Sequence, residues 1–153
     1  MQKSLFLILT LLLSGCAGTT YYKGVAPDGQ KAYLGPLPVE GTEAFKTFLV
    51  SRRTDVDRQR YLFTRLKGAR ELEFLHDGTW YNSLQAYRGG MWLMRHRYKK
   101  GQDTRAFIQK YVEFSEAGKP HLVKYPDGTL QLGSYVLYNE LDLLEEAEKR
   151  AGV

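Results

Sequence analysis

Apolar positions change their spacing along this chain, and each change marks an element. Leu5-Phe6-Leu7-Ile8-Leu9-Thr10-Leu11-Leu12-Leu13 is a nearly unbroken apolar run. It is much shorter than the ~20 residues a membrane-spanning helix needs. Residues 16–42 lose that character and are rich in Gly, Pro and Thr, which reads as a tether. Inside it, Pro27-Asp28-Gly29 is a turn between Tyr21-Tyr22 and Tyr33-Leu34, compatible with a loose hairpin.

From Thr42 the spacing becomes helical. Ala44, Phe45, Phe48 and Leu49 share one face, and Thr54-x-x-Asp57 caps a stretch carrying Val56, Phe63 and Leu66 before Gly68. Residues 43–67 therefore form either one bent helix or two. Glu71-Leu72-Glu73-Phe74-Leu75 alternates as a strand does, and His76-Asp77-Gly78 turns it. Leu84, Tyr87, Met91, Met94 and Tyr98 repeat at three- and four-residue steps, the mark of one apolar helix face. Gly89-Gly90 interrupts that face at ~1 kcal/mol per Gly relative to Ala. Either the helix begins there or another backbone packs closely against it.

Asp103 is a suitable N-cap for a helix bearing Phe107, Ile108, Tyr111 and Val112, ended by Gly118 and Pro120. Leu122–Tyr125 and Leu130–Leu132 flank a second Pro-Asp-Gly as a hairpin would. Ser134 then caps a last helix with Leu137, Leu141 and Leu144 facing inward and Lys149-Arg150 at its negative end. The expected class is α+β, about four helices packed with a few short strands.

The apolar run follows a single cation, Lys3, and ends at Leu13-Ser14-Gly15-Cys16. Its length suits the apolar region of an export signal. The four closing residues resemble the bacterial lipoprotein box: an aliphatic residue, two small ones and a thiol. That resemblance implies cleavage after Gly15 and acylation of the Cys16 sulfur. Two or three acyl chains at ~0.8 kcal/mol per buried CH₂ anchor a domain stably, whereas one does not. Residues 1–15 are thus expected as a signal peptide, 16–42 as a lipidated tether and 43–153 as the globular domain. The expected location is the cell envelope, facing the periplasm and, with Ala17 rather than Asp after the cysteine, at the outer membrane.

Composition narrows the chemistry. One cysteine excludes an internal disulfide and any Cys-rich zinc site. The balance of 22 Lys+Arg against 17 Asp+Glu is uneven along the chain. Residues 52–70 and 88–100 are basic, the latter without any acid, whereas Glu140, Asp142, Glu145, Glu146 and Glu148 crowd the end. Either the acidic helix pairs with a basic one inside the fold, or a cationic face meets anionic headgroups, lipopolysaccharide or wall polymer. Export from the cytoplasm makes nucleic acid the poorest partner.

Residues 74–123 carry an ordered set of motifs. They are Phe74, His76-Asp77-Gly78-Thr79-Trp80-Tyr81, Ala86, Arg95 to Tyr98, Thr104 to Ile108, and Ser115 with Gly118-Lys119-Pro120-His121. In this order they resemble the uncharacterised YfeK-like family of small exported bacterial proteins. Asp77 and His121 replace that family's usual Asn and Tyr, and Trp92 stands near the place of its helix-opening His. The resemblance implies a fold and an exported location; the family supplies no mechanism.

No His-Glu-x-x-His, no Gly-x-Ser-x-Gly and no phosphate-cradling loop occurs, so neither metal nor cofactor is expected. His96 stands apart from any ligand spacing. Glu71/Glu73 and Glu113/Glu116 read as solvated pairs. Two readings remain. A non-catalytic module binding an envelope component would use Trp80, Tyr81, Arg95, Arg97, Ser115, Lys119 and His121. A small envelope hydrolase would instead assemble Ser115 with His76 or His121 and Asp77 or Asp127 in one cleft. A third possibility is an accessory subunit that docks on another envelope protein through an aromatic surface.

Overall fold

Side-chain caps fix where most of the helices begin. The computed structural model describes residues 24–153, so the leader, Cys16 and Tyr21-Tyr22 lie outside the described residues. Thr42 Oγ1 accepts from Phe45 N at the start of α1 (Glu43–Leu49), and Thr54 and Asp57 form a reciprocal capping box on α2 (Asp55–Gly68). Residues 43–67 are therefore two helices. Ser51 Oγ donates to Phe48 O, and Arg53 takes a positive φ of 57° that no helix can continue through.

A hairpin follows, β1 (Glu73–His76) and β2 (Thr79–Asn82). Its two-residue loop has Asp77 at φ 47° and Gly78 at φ 84°, the left-handed pair that matches the twist of antiparallel strands. Asn82 and Gln85 make a second capping box that launches α3 (Ser83–Arg97) straight from β2. This helix runs through both glycines. A Cβ on Gly90 would lie 2.5 Å from the Phe63 ring, so the close neighbour is a side chain of α2, not another backbone. Asp103 caps α4 (Thr104–Tyr111) as expected, but the helix ends at Tyr111 and Gly118 instead closes a separate turn onto Ser115 O; β3 (Leu122–Lys124) and β4 (Leu130–Leu132) close the second hairpin. The last helix, α5 (Gly133–Ala151), starts one residue before the expected cap, with Leu132 at the N-cap position and no side-chain cap. Gly133 N donates instead to His121 O at 2.8 Å, so the sheet ladder hands the chain directly to the helix.

The fold is α+β, with five α-helices and a four-stranded antiparallel sheet of order β2-β1-β3-β4 among the described residues. Phe74 pairs with Tyr81 on one side and Val123 on the other, and Val123 with Gln131. Period-two alternation puts these on one face, against the helices. The central helix is α2, which packs on α1, α3, α4 and α5.

Residues 24–41, expected as tether, are laid onto this domain. Ala32, Leu34 and Val39 are buried in its main core. Asn139 Nδ2 on α5 donates to the carbonyls of Gly24 and Ala32, and Leu34 N donates to Glu140 Oε1 at 2.7 Å. A Gly- and Pro-rich stretch makes few backbone bonds of its own, and here side chains of α5 supply them. The acidic helix pairs inside the fold. Arg58 meets Glu148, Arg65 meets Glu140, and Arg105 meets Asp142 and Glu145.

Candidate functional site

The β1–β3 register brings together side chains that lie far apart in sequence. Leu75 faces Leu122, so one step further along the two antiparallel strands His76 faces His121. His76 Nδ1 lies 2.6 Å from His121 Nε2, and His121 Nδ1 lies 2.7 Å from Val112 O. The ring planes differ by 6° with centroids 4.8 Å apart. Nitrogens so much closer than the centroids mean that the rings meet edge to edge in a common plane, a hydrogen bond rather than a face-to-face stack.

The hairpin loop and the α4–β3 connection complete the group. Phe114 and Pro120 form an isolated bridge around a turn in which Ser115 N donates to Lys119 O. Ser115 Oγ donates to Asp77 Oδ1 at 2.5 Å and accepts from Lys119 N at 3.3 Å. Asp77 Oδ2 lies 3.5 Å from His76 Nε2. A continuous line of polar groups thus runs Ser115–Asp77–His76–His121–Val112.

Proton positions along this line follow from what each partner can do. A carbonyl only accepts, so His121 Nδ1 carries a proton. With His121 neutral, its Nε2 must accept, and His76 Nδ1 must donate. His76 Nε2 then faces a carboxylate oxygen of Asp77. Burial lowers the His121 pKa from the ordinary 6.5; the Val112 carbonyl opposes this, the nearby His76 adds to it, and Asp77 opposes it again. Burial thus favours the neutral form of the inner ring.

These groups stand at the rim of a cleft of about 710 Å³. That volume falls within the ~300–1,000 Å³ of small-molecule sites. One wall is α3, through Gly89, Trp92, Leu93 and Arg97; the other is the end of α4 with Phe114 and Ser115. Phe63, Phe74, Leu122 and Val123 form an apolar interior. Trp92 and Phe114 are half exposed at the mouth, at 50% and 52%.

Of the residues expected to bind, Tyr81, Arg97, Ser115 and His121 line this cleft, together with His76 and Asp77. Trp80, Arg95 and Lys119 do not. Trp80 falls on the other sheet face, where the Lys124 ammonium sits 4.7 Å from its ring centroid. Arg95 is exposed on α3, and Lys119 contributes its backbone rather than its ammonium. Asp127 is spent within its own turn, accepting from Thr129 N. His96 bonds the Trp92 carbonyl and stacks on that ring. Glu73 pairs with Lys124, and Glu116 with Arg97. Sequence reasoning missed Phe63, Leu93 and Phe114. Gly89, which has nothing within 4 Å of its missing Cβ, was the available signal for an open wall.

No group of three or more His, Cys, Asp or Glu side chains suited to a metal occurs among the described residues, nor any helix long and apolar enough to cross a membrane. No family model matches the chain, and no curated protein or solved structure matches it either.

Proposed function

We propose that this protein is a lipid-anchored envelope lipoprotein whose domain is a non-catalytic binding module. Its ligand is an elongated apolar molecule bearing a polar head. The Leu13-Ser14-Gly15-Cys16 box supports acylation at Cys16 and an envelope location, and the likeness of residues 74–123 to the YfeK-like exported proteins supports the same location. The observation that carries binding is the cleft itself, an apolar interior with its hydrogen-bonding groups gathered at one rim. The apolar walls take the body of the ligand, and the His76–Asp77 rim, with Arg97 beside it, takes the head. The partners are the membrane through Cys16 and a component of the envelope, an anionic polymer or another envelope protein among them.

Ser115 argues against turnover as the main role. A serine nucleophile is ordinarily activated by a base stronger than a carboxylate, such as a histidine, and neither His76 nor His121 is hydrogen-bonded to Ser115. Here the hydroxyl donates to Asp77, and the same oxygen accepts from Lys119 N, so Ser115 ties the hairpin loop to the α4–β3 connection. A small envelope hydrolase is the second reading, favoured by the meeting of Ser115, Asp77, His76 and His121 at one rim.

One pair of measurements separates the two. Binding of a fluorescent fatty acid is expected to be saturable, to survive Ser115→Ala and to be lost in Leu93→Glu. Hydrolysis of a p-nitrophenyl acyl ester that disappears with Ser115→Ala would establish the hydrolase instead. Metabolic labelling with palmitate tests the anchor separately: Cys16→Ser should take up no label.

A further inference from the structure

The solvent-facing row of α3 combines exposed apolar and cationic side chains. Leu84, Arg88, Trp92 and Arg95 succeed one another at four-, four- and three-residue steps, which places them on one side of the helix. All four are exposed, and so are Lys99 and Lys100 just beyond the helix end. From Ser83 to Lys100 there is not one acidic residue. The acids of α5 are occupied by Lys31, Arg58, Arg65, Arg105 and Arg150. Arg88, Arg95, Lys99 and Lys100 have no acidic partner among the described residues.

The same row is apolar where it is not cationic. Leu84 is 42% exposed and Trp92 50%, two of the few large apolar side chains the domain leaves open. Gly89, also exposed, leaves the helix flat between them, since nothing projects from it. An indole and a leucine among arginines on a solvent face are what a helix lying in a lipid interface presents. Arginine stems lie along the apolar zone while their guanidinium groups reach phosphate oxygens.

We infer that the outer row of α3 rests on an anionic phospholipid bilayer, with Trp92 and Leu84 at headgroup depth and Arg88, Arg95, Lys99 and Lys100 on the phosphates. Charge complementarity selects this occupant. Each such cation contributes to attraction by an anionic surface, whereas a neutral surface gains nothing from it. The inference goes beyond ligand uptake and does not depend on it. It nevertheless sets the mouth of the cleft, where Trp92 stands, against the lipid.

The test uses the full chain carrying Cys16→Ser, so that no acyl group contributes, with Trp80→Phe so that Trp92 reports alone. The protein is added to vesicles containing phospholipid brominated in its acyl chains, either neutral phosphatidylcholine or phosphatidylcholine with phosphatidylglycerol. The apolar leader can hold the chain on both kinds of vesicle, so quenching of Trp92 isolates the behaviour of α3. Quenching with a blue shift on the anionic vesicles only is expected. It should fall to the neutral-vesicle level in high salt and in Arg88→Glu with Arg95→Glu, whose thermal melting should match the parent. Equal quenching on both vesicles would overturn the inference. So would its absence from both, or its survival in the charge-reversed variant.

Discussion

The two sides of α2 are finished differently. On one side α5 and the segment from Gly24 to Gly41 close over a buried ion pair. Arg65 Nε and Nη2 meet Glu140 Oε2 and Oε1 at 2.8 and 3.1 Å, Arg65 Nη1 donates to Pro36 O, and Glu140 also accepts from Leu34 N. Both ends of that pair are almost wholly out of water, with side chains 3% and 0% exposed. On the other side α3 and α4 enclose a smaller core of Phe63, Met94 and Phe107, and they leave a cleft lined by exposed His76 and Asp77 and by the more buried Ser115 and His121. The closed side binds its charges within the fold. The open side leaves Trp92, Phe114, Arg88 and Arg95 exposed. The contrast separates groups that hold the fold from groups free to serve a ligand.

Breaking the closed side should have the largest effect. Glu140→Ala leaves the Arg65 guanidinium buried without its counter-charge and leaves Leu34 N without its acceptor. A loss of ~3–5 kcal/mol is expected, measured by urea denaturation. Thermal unfolding with the parent's midpoint would show that the pair does not hold the two elements together.

A sharper form of the comparison lies within α3, where adjacent glycines should respond with opposite sign. Gly90→Ala forces a Cβ into the Phe63 ring and is expected to destabilise by ~1–3 kcal/mol. Gly89→Ala meets nothing within 4 Å and should stabilise the helix by up to ~1 kcal/mol. A double variant near the sum of the two would confirm that the residues face separate surroundings. Losses of similar size at both positions would contradict the open wall.

The smallest effect concerns acid. Because burial lowers the His121 pKa below 6.5, the unfolded chain takes up this proton before the folded one does. The contribution is therefore complete above pH 6.5 and is lost as the pH falls through that value towards the folded pKa. Denaturation midpoints between about pH 7.5 and about pH 5.5 should fall more steeply for the parent than for His121→Asn. Identical slopes would remove His121 from the account.

Local chemistry made much of this legible in the sequence. The Thr54–Asp57 box, the Asp103 cap, both hairpin turns and the inward face of Leu137, Leu141 and Leu144 depend on residues a few positions apart. Gly24 to Gly41 was not legible. Its Gly and Pro content reads as linker, and its anchoring atoms lie on α5, more than a hundred residues away. The cleft was legible only in parts. Asp77, Ser115 and His121 were suspect as residue types, but their order along the rim depends on which strand β1 pairs with.

The amino-acid sequence by itself determined most of the elements and the two turns, because caps, glycines and period act over one or two turns of chain. It also placed the thiol of Cys16 behind an apolar run, a pattern that needs no fold to be read. Only the tertiary structure decided that His76 meets His121, that Ser115 donates a hydrogen bond to Asp77, and that α3 keeps a cationic, aromatic row facing water. Those outcomes follow from strand register and helix rotation. Both are set by how the whole core packs, and neither is set by the residues concerned.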